Sequence, residues 1–221
     1  MSDYDEIDEE LARKFLEDPD NVNLSEATKI TDKAAHLLAS HKGRLDLWCL
    51  SEISLATARH LSMHEGSPDA MEGLSIGIKE LSDEIAKQFG QYKGCILPFD
   101  ELEDLSDVSA QHLSHFNGDG LEFTSLKSLT EPAASYLVKT KVSFITLGRD
   151  EGPSYGRYLE ASGTKLSDTV IEILSKFDGD LTLGGLEELS DAVAKTLSKF
   201  KGQINCMDPN DWVETKRESL N

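Results

Sequence analysis

A short pattern recurs along most of this 221-residue chain. An apolar residue is followed at once by a serine or threonine and, in six of seven cases, by an acidic residue. Successive apolar residues, here called anchors, are 23, 28, 24, 24, 37 and 23 residues apart. The anchors are Ile30, Ile53, Leu81, Leu105, Leu129, Leu166 and Leu189. Such spacing is typical of repeated units that bury their apolar faces against one another, and we number the seven units by these anchors.

The seventh unit, which starts at Leu189, indicates how one unit folds. Ser190 suits the first cap of a helix, because its hydroxyl can accept from a free backbone N–H. Asp191 then places negative charge where the helix dipole favours it, and Gly202 is predicted to end the helix in a left-handed conformation. Upstream, the segment 181–186 (LTLGGL) alternates like a short strand. Each unit is therefore predicted to contain a strand, a turn and a helix.

Three further columns of the pattern support a stacked array. Five residues after the anchor, six units have an alanine, where neighbouring helix backbones would approach closely: Ala35, Ala58, Ala86, Ala110, Ala134 and Ala194. Eight residues after it stand large core residues: Leu38, Leu61, Phe89, Leu113, Leu137, Leu174 and Leu197. Thirteen residues after it, six units have a glycine: Gly43, Gly66, Gly94, Gly118, Gly179 and Gly202. Columns this regular predict a repeat protein.

The ends of the chain depart from this pattern. Residues 1–25 are predicted to form an N-terminal helical cap, in which Val22 and Leu24 form a first edge strand. The repeats then cover 26–203, and 204–221 are predicted to be a C-terminal cap with Trp212 at the next anchor position. Segments near 66–73 and 148–165 lengthen the second and fifth units. Insertions of this kind map to loops that are often functional. The alternative is that these loops have no function.

The unit LxLxxLxxLSDxxAxxLxxxKG resembles the leucine-rich-repeat-like arrays of some bacterial proteins, over roughly residues 30–203. The resemblance implies an α/β solenoid with a parallel sheet on one face and helices on the other. It also implies protein recognition on the concave sheet, without catalysis or a cofactor. The asparagine that usually follows the strand is replaced by leucine at positions such as Leu50, Leu102, Leu126 and Leu186. We therefore expect a helical outer layer and a gentler curvature than in the common leucine-rich repeat.

The net charge of the chain limits the kinds of molecule that it can bind. The 22 basic and 41 acidic residues give a net charge of −19, which argues against nucleic acid and anionic membranes because phosphates would be repelled. A protein partner, in particular a basic one, fits this charge. No apolar run is long enough to span a membrane, and the acidic N-terminus does not resemble a signal peptide. The three separated cysteines favour a reducing compartment, so we expect a cytoplasmic chain, monomeric or bound to its partner.

No residue pattern predicts a catalytic, cofactor or metal site. His60 and His64 have the spacing of two metal ligands on one helix. However, His41 and His64 fall in a column that holds aromatic rings in other units, so we interpret them as structural. The recurrent acids after the hydroxyl are interpreted as partners of the helix dipole. An enzyme with a loop-borne site in 148–165 remains an alternative.

The predicted binding face is formed by strand residues that point away from the helices. If Leu45 and Leu47 point inward, alternation places Asp46 and Trp48 outward. The same rule selects Asp100, Glu122, Thr124, Ser143, Ile145 and Thr182, and the insertion adds Tyr155, Arg157 and Tyr158. Trp48 alternatively folds under the N-terminal cap. The sequence thus predicts a non-enzymatic protein–protein interaction module; the alternative is a dedicated inhibitor or immunity protein that masks a basic toxin, nuclease or protease.

Overall fold

The computed structural model of the chain describes residues 4–66, 73–148, 164–186 and 189–219 and shows an α/β fold. The helices are α1 (Glu9–Glu17), α2 (Asp32–Leu38), α3 (Leu55–Leu61), α4 (Asp83–Phe89), α5 (Asp107–Leu113), α6 (Glu131–Leu137), α7 (Asp168–Leu174), α8 (Asp191–Leu197) and α9 (Pro209–Ser219). The strands are β1 (Glu6–Ile7), β2 (Lys29–Ile30), β3 (Leu45–Leu47), β4 (Leu74–Ile76), β5 (Ile96–Pro98), β6 (Gly120–Phe123), β7 (Phe144–Leu147) and β8 (Asp180–Leu183).

The predicted helix starts are confirmed. Helices α2 to α8 each begin two residues after an anchor, and each is capped by the predicted hydroxyl residue. In α8, for example, the Ser190 hydroxyl accepts from the backbone N–H of Val193 at 3.2 Å. The alanine column is fully buried or nearly so, with Ala86 and Ala110 both at 0% exposure. The local pattern of each unit therefore fixes where its helix starts and which side it buries.

The predicted helix ends are wrong. Helix α8 ends at Leu197, and its cap Ser198 keeps right-handed backbone angles. Gly202 lies beyond the helix and does not have a positive φ. It is a glycine for a different reason: a Cβ at this position would collide with the carbonyl oxygen of Gly179, the glycine of the preceding unit. Gly118 and Gly179 likewise approach a carbonyl oxygen of the preceding unit, whereas Gly43 and Gly94 lie against the ring two residues before them. Gly66 has a positive φ, but it too lies beyond the end of its helix.

The strands pair in parallel, as predicted, and fall into three groups: β1 with β2, β3 with β4, and the four strands β5 to β8 in order. Each helix packs against the next helix in the chain. The side chains between the helices and the strands form one buried apolar cluster. The helices cover one face of the sheet, and the opposite face carries predicted binding residues such as Glu122 and Thr182.

The N-terminal segment matches the repeated unit more closely than the sequence pattern indicated. Ile7 pairs with Ile30, the first anchor, and Asp8 caps α1 by accepting from Leu11 N–H at 2.9 Å. Ala12 and Phe15 are buried on α1 like the alanine and the large residue of the other helices. The pattern was missed because Asp8 replaces the hydroxyl residue. The predicted edge strand at 22–24 does not form.

The C-terminal segment also differs from its prediction. Trp212 does not stand at an anchor before a helix; it lies within α9, where it is 5% exposed. Asp208 precedes this helix, and its side chain accepts from Asn210 N–H at 2.8 Å. Helix α9 packs on α8, and Arg217 of α9 contacts Asp191 at 2.6 Å. In the described part of the chain, no helix has both the length and the apolar character needed to cross a membrane.

Candidate functional site

The outward side chains of the sheet form rows across neighbouring strands. The register aligns Pro98, Glu122, Thr146 and Thr182 from β5 to β8. Glu122, Thr146 and Thr182 are half-buried, whereas Pro98 is buried. The structure therefore places Glu122 and Thr182 on the predicted face, and it adds Thr146, which the sequence reading missed.

Ile145 was assigned to the wrong face. It pairs with Leu121 and Leu181, points into the core and is 0% exposed. The error has a simple origin, because the fifth unit lacks the glycine that marks the register in other units. The interval from Leu129 to Ile145 equals that from Leu105 to Leu121, and this signal would have placed Ile145 inward. Ser143, also predicted on this face, is exposed but precedes β7.

Two carboxylates lie close together on β6 and at the end of β5. Thr124 donates its hydroxyl to the Asp100 carboxylate at 3.0 Å and to the Asp100 carbonyl at 3.1 Å, which fixes the position of Asp100. Burial raises the pKa of Glu122 to about 7, and the negative charge of Asp100 adds to the effect. No described residue provides a hydrogen bond or an opposite charge to the Glu122 carboxylate. Among the residues that the structure describes, none offsets the cost of burying the Glu122 charge.

Phe144 supplies the aromatic part of the same face. It aligns with Gly120 on β6 and with Ile96 on β5, next to the row that contains Glu122. A Cβ at Gly120 would collide with the Phe144 ring, so the ring lies across the backbone of Gly120. Phe144 and Ile96 are both half-buried. The sequence reading missed Phe144 because of the same register error that turned Ile145 outward.

Asp46 and Trp48 lie at the other end of the chain of units, on β3 and directly after it. Both are half-buried. The Asp46 carboxylate accepts from Trp48 N–H at 3.3 Å and contacts Arg44 at 3.4 Å. Asp46 also lines an open cavity of about 560 Å³ together with residues 19–24 of the N-terminal segment. Tyr155, Arg157 and Tyr158 lie outside the described residues.

The histidines do not converge on one site. His60 of α3 contacts His36 of α2, with ring centroids 4.8 Å apart, whereas His64 stacks at 6.4 Å on His41. His64 is 0% exposed, and neither ring nitrogen has a hydrogen-bond partner of normal geometry within the described chain. Burial lowers the pKa of His64 to about 4. Across the described ranges, no three histidine, cysteine or acidic side chains are grouped as metal ligands.

Comparison with known proteins found no matching family model, no similar curated sequence and no similar solved structure. Functional inference therefore starts from the geometry of this chain. The residues that the structure brings together are Asp100, Glu122, Thr124, Phe144 and Thr182 on the four-stranded sheet. Asp46 and Trp48 are on the separate sheet formed by β3 and β4.

Proposed function

We propose that the chain is a non-enzymatic protein-interaction module with a leucine-rich-repeat-like solenoid fold. It binds a basic protein partner through the open face of the four-stranded sheet, with the 148–165 insertion as an additional contact. The order of the units supports a solenoid, because each helix packs on the next and the strands pair in parallel in chain order. The net charge of −19 supports a basic partner.

The observation that carries the proposal is the uncompensated Glu122 carboxylate. A half-buried carboxylate is unfavourable in its charged form unless a donor or a cation is near. The negative charge of Asp100 increases this cost. A lysine or arginine side chain of a partner would relieve both effects at once. We therefore expect a cation paired with Glu122 to contribute the most to the binding free energy of a basic partner.

The neighbouring apolar surface supplies the second component of such an interface. Phe144 and Ile96 present a half-buried aromatic and aliphatic surface beside Glu122. Aromatic side chains at the centre of an interface contribute a large share of binding energy, and surrounding polar residues exclude water. Thr146 and Thr182 provide such polar surroundings in the adjacent row. The face thus combines a cation acceptor with an apolar contact.

The test is a capture experiment from native lysate with immobilised chain, followed by mass spectrometry and measurement of the affinity of the captured protein. Glu122→Gln and Phe144→Ala should each reduce the affinity for one and the same basic protein by about tenfold or more. Deletion of 150–162 and Trp48→Ala should weaken binding to a smaller extent. Binding of wild type should also weaken as the pH falls below about 7, where Glu122 takes up a proton.

A matched control uses the same chemical change on the helix face. Glu172 is exposed on α7, so Glu172→Gln removes one negative charge without changing the sheet. This variant should bind like wild type. If binding survives the sheet-face changes and is lost on changing Lys87 and Lys195, both exposed on helices, the proposed binding face is wrong.

A further inference from the structure

Neighbouring helices are connected by a repeated hydrogen bond. The acidic residue that starts one helix accepts from the capping hydroxyl of the next helix, as Asp83 of α4 does from Ser106 of α5 at 2.6 Å. Ser109 of α5 donates to the same carboxylate at 2.9 Å. The same pair forms between Asp32 and Ser54, Asp107 and Thr130, and Asp168 and Ser190. These bonds connect four of the six pairs of successive units on the helix side.

This connection is missing between the second and third units. Leu55 stands where the acid should be, and its side chain is 48% exposed on the first turn of α3. Ser82 caps α4 by accepting from Ile85 N–H, but its hydroxyl finds no acceptor on α3. An exposed leucine at a helix start gains nothing from the dipole and provides no acceptor.

The strand connection is missing at the same place. Strands β4 and β5 belong to different sheets, whereas β5 to β8 are continuous. Phe99 donates its N–H to Glu122 of β6, and N–H groups alternate in direction along a strand, so position 98 faces β4. Pro98 occupies that position and has no N–H to donate. The proline therefore removes one of the hydrogen bonds that would join β4 to β5.

The junction between the fifth and sixth units shows that one missing connection is not enough to separate units. Glu131 replaces the aspartate there, and Ser167 makes no hydrogen bond to it. However, strands β7 and β8 pair over four residues across that junction. Only between the second and third units are both connections absent within the described residues. What remains there, among these residues, is apolar packing with three single hydrogen bonds. They run from Leu74 N–H to the Tyr92 hydroxyl at 3.0 Å, from Lys93 N–H to the Ser62 carbonyl at 3.1 Å and from Lys79 N–H to the Ser51 carbonyl at 3.4 Å.

We infer that the chain has a built-in joint between the second and third units, at which two blocks bend and open as separate cooperative units. The N-terminal block comprises residues 4–66 and 73–78, and the C-terminal block comprises the described residues from 81 onward. Packing with only a few isolated hydrogen bonds allows small sliding motions, whereas a continuous hydrogen-bonded ladder resists them. Because Asp46 and Trp48 lie on one block and Glu122 on the other, the joint also sets the distance between the two parts of the sheet face.

The two tryptophans allow each block to be followed separately, since Trp48 lies in the N-terminal block and Trp212 in the C-terminal block. Urea unfolding of Trp212→Phe and of Trp48→Phe should give fluorescence transitions at different urea concentrations. Hydrogen exchange of wild type should show two levels of protection that change across residues 79–82. Coincident transitions together with one uniform level of protection would overturn the inference.

The second test restores the missing hydrogen bonds between the second and third units. Leu55→Asp supplies the missing acceptor for Ser82, and Pro98→Thr supplies the missing N–H with the residue found at Thr146 and Thr182. The combined variant should merge the two transitions and slow exchange in β4 and α4 by roughly tenfold. Val108→Asp is the control, because Val108 is 45% exposed on the first turn of α5, where Asp107 already provides the acceptor. An equal effect of Val108→Asp would mean that helix-dipole stabilisation, and not repair of a joint, is responsible.

Discussion

The two blocks differ in the kind of titratable group that each holds away from water. The N-terminal block buries a base, His64, whose pKa is lowered to about 4. The C-terminal block half-buries an acid, Glu122, whose pKa is raised to about 7. Burial is the largest cause in both cases, and it disfavours the charged form of each group. The same physical effect therefore gives the two blocks opposite responses to acid.

The signs follow from which state binds more protons. His64 has a folded pKa below its ordinary value of 6.5, so the unfolded chain binds the proton more tightly, and stability is lost as the pH falls from 6.5 towards 4. Glu122 has a folded pKa above its ordinary value of 4.5, so its contribution is present at low pH and is lost as the pH rises from 4.5 through 7. As the pH falls from 6.5 to 4.5, the free energy of unfolding of the N-terminal block decreases and that of the C-terminal block increases.

The largest expected effect is that of His64→Phe on acid stability. Wild type should lose about 3 kcal/mol of stability in the N-terminal block between pH 6.5 and 4, because each pKa unit corresponds to about 1.4 kcal/mol. Phenylalanine occupies the same column at Phe116 and has no proton to bind. The variant should therefore lose this pH dependence, as followed by Trp48 fluorescence in urea at a series of pH values.

The control is His115→Gln, which changes an exposed histidine of the C-terminal block. It should leave the acid response of the N-terminal block as in wild type. An unchanged response in His64→Phe would show that His64 is not the group that makes this block sensitive to acid.

A core substitution in the C-terminal block tests whether the blocks are energetically separate. Ala110 is fully buried on α5, and Ala110→Leu should destabilise its block by about 1–3 kcal/mol through overpacking. The Trp212 transition should move to lower urea, while the Trp48 transition stays in place. Equal shifts of both transitions would contradict the comparison between the blocks, and unchanged melting would contradict the assignment of the alanine column to close helix contacts.

The smallest expected effect is that of Glu122→Gln on the C-terminal block. Glutamine does not titrate, so the increase in stability of wild type between pH 7 and 4.5 should disappear. We expect a change smaller than that for His64, because Glu122 retains partial contact with water. The measurement is Trp212-monitored unfolding at pH 7 and pH 5, with Glu172→Gln as the control for a lost surface charge.

The regular columns made much of the fold predictable. A hydroxyl cap, a first-turn acid and a buried alanine are local or nearest-neighbour requirements, so they repeat in most units and fixed the helix starts. Unit boundaries were less predictable where the residue that caps the helix is not a serine or threonine. Asp8 caps α1 in place of a hydroxyl residue, and this hid a segment that otherwise matches the unit.

The candidate site was predicted only in part, because a strand shifted by one residue exposes the opposite set of side chains. Alternation placed Glu122 and Thr182 on the face where the strand register puts them, whereas Asp100 and Thr124 lie beyond the ends of β5 and β6. Ile145 was placed on the wrong one, and Phe144 was missed with it. Only the register between β6 and β7 distinguishes these two arrangements, since the sequence of a single strand permits either.

The sequence by itself determined the repeat, the α/β class, the parallel pairing and the start of each repeat helix, because these follow from local chemistry at regular spacing. Only the tertiary structure revealed that Leu55 and Pro98, far apart in the chain, remove two connections at the same junction. Likewise, the raised pKa of Glu122 depends on burial by neighbouring strands and on Asp100 across the sheet. Such effects belong to pairs of distant residues, and therefore the spacing within one unit does not contain them.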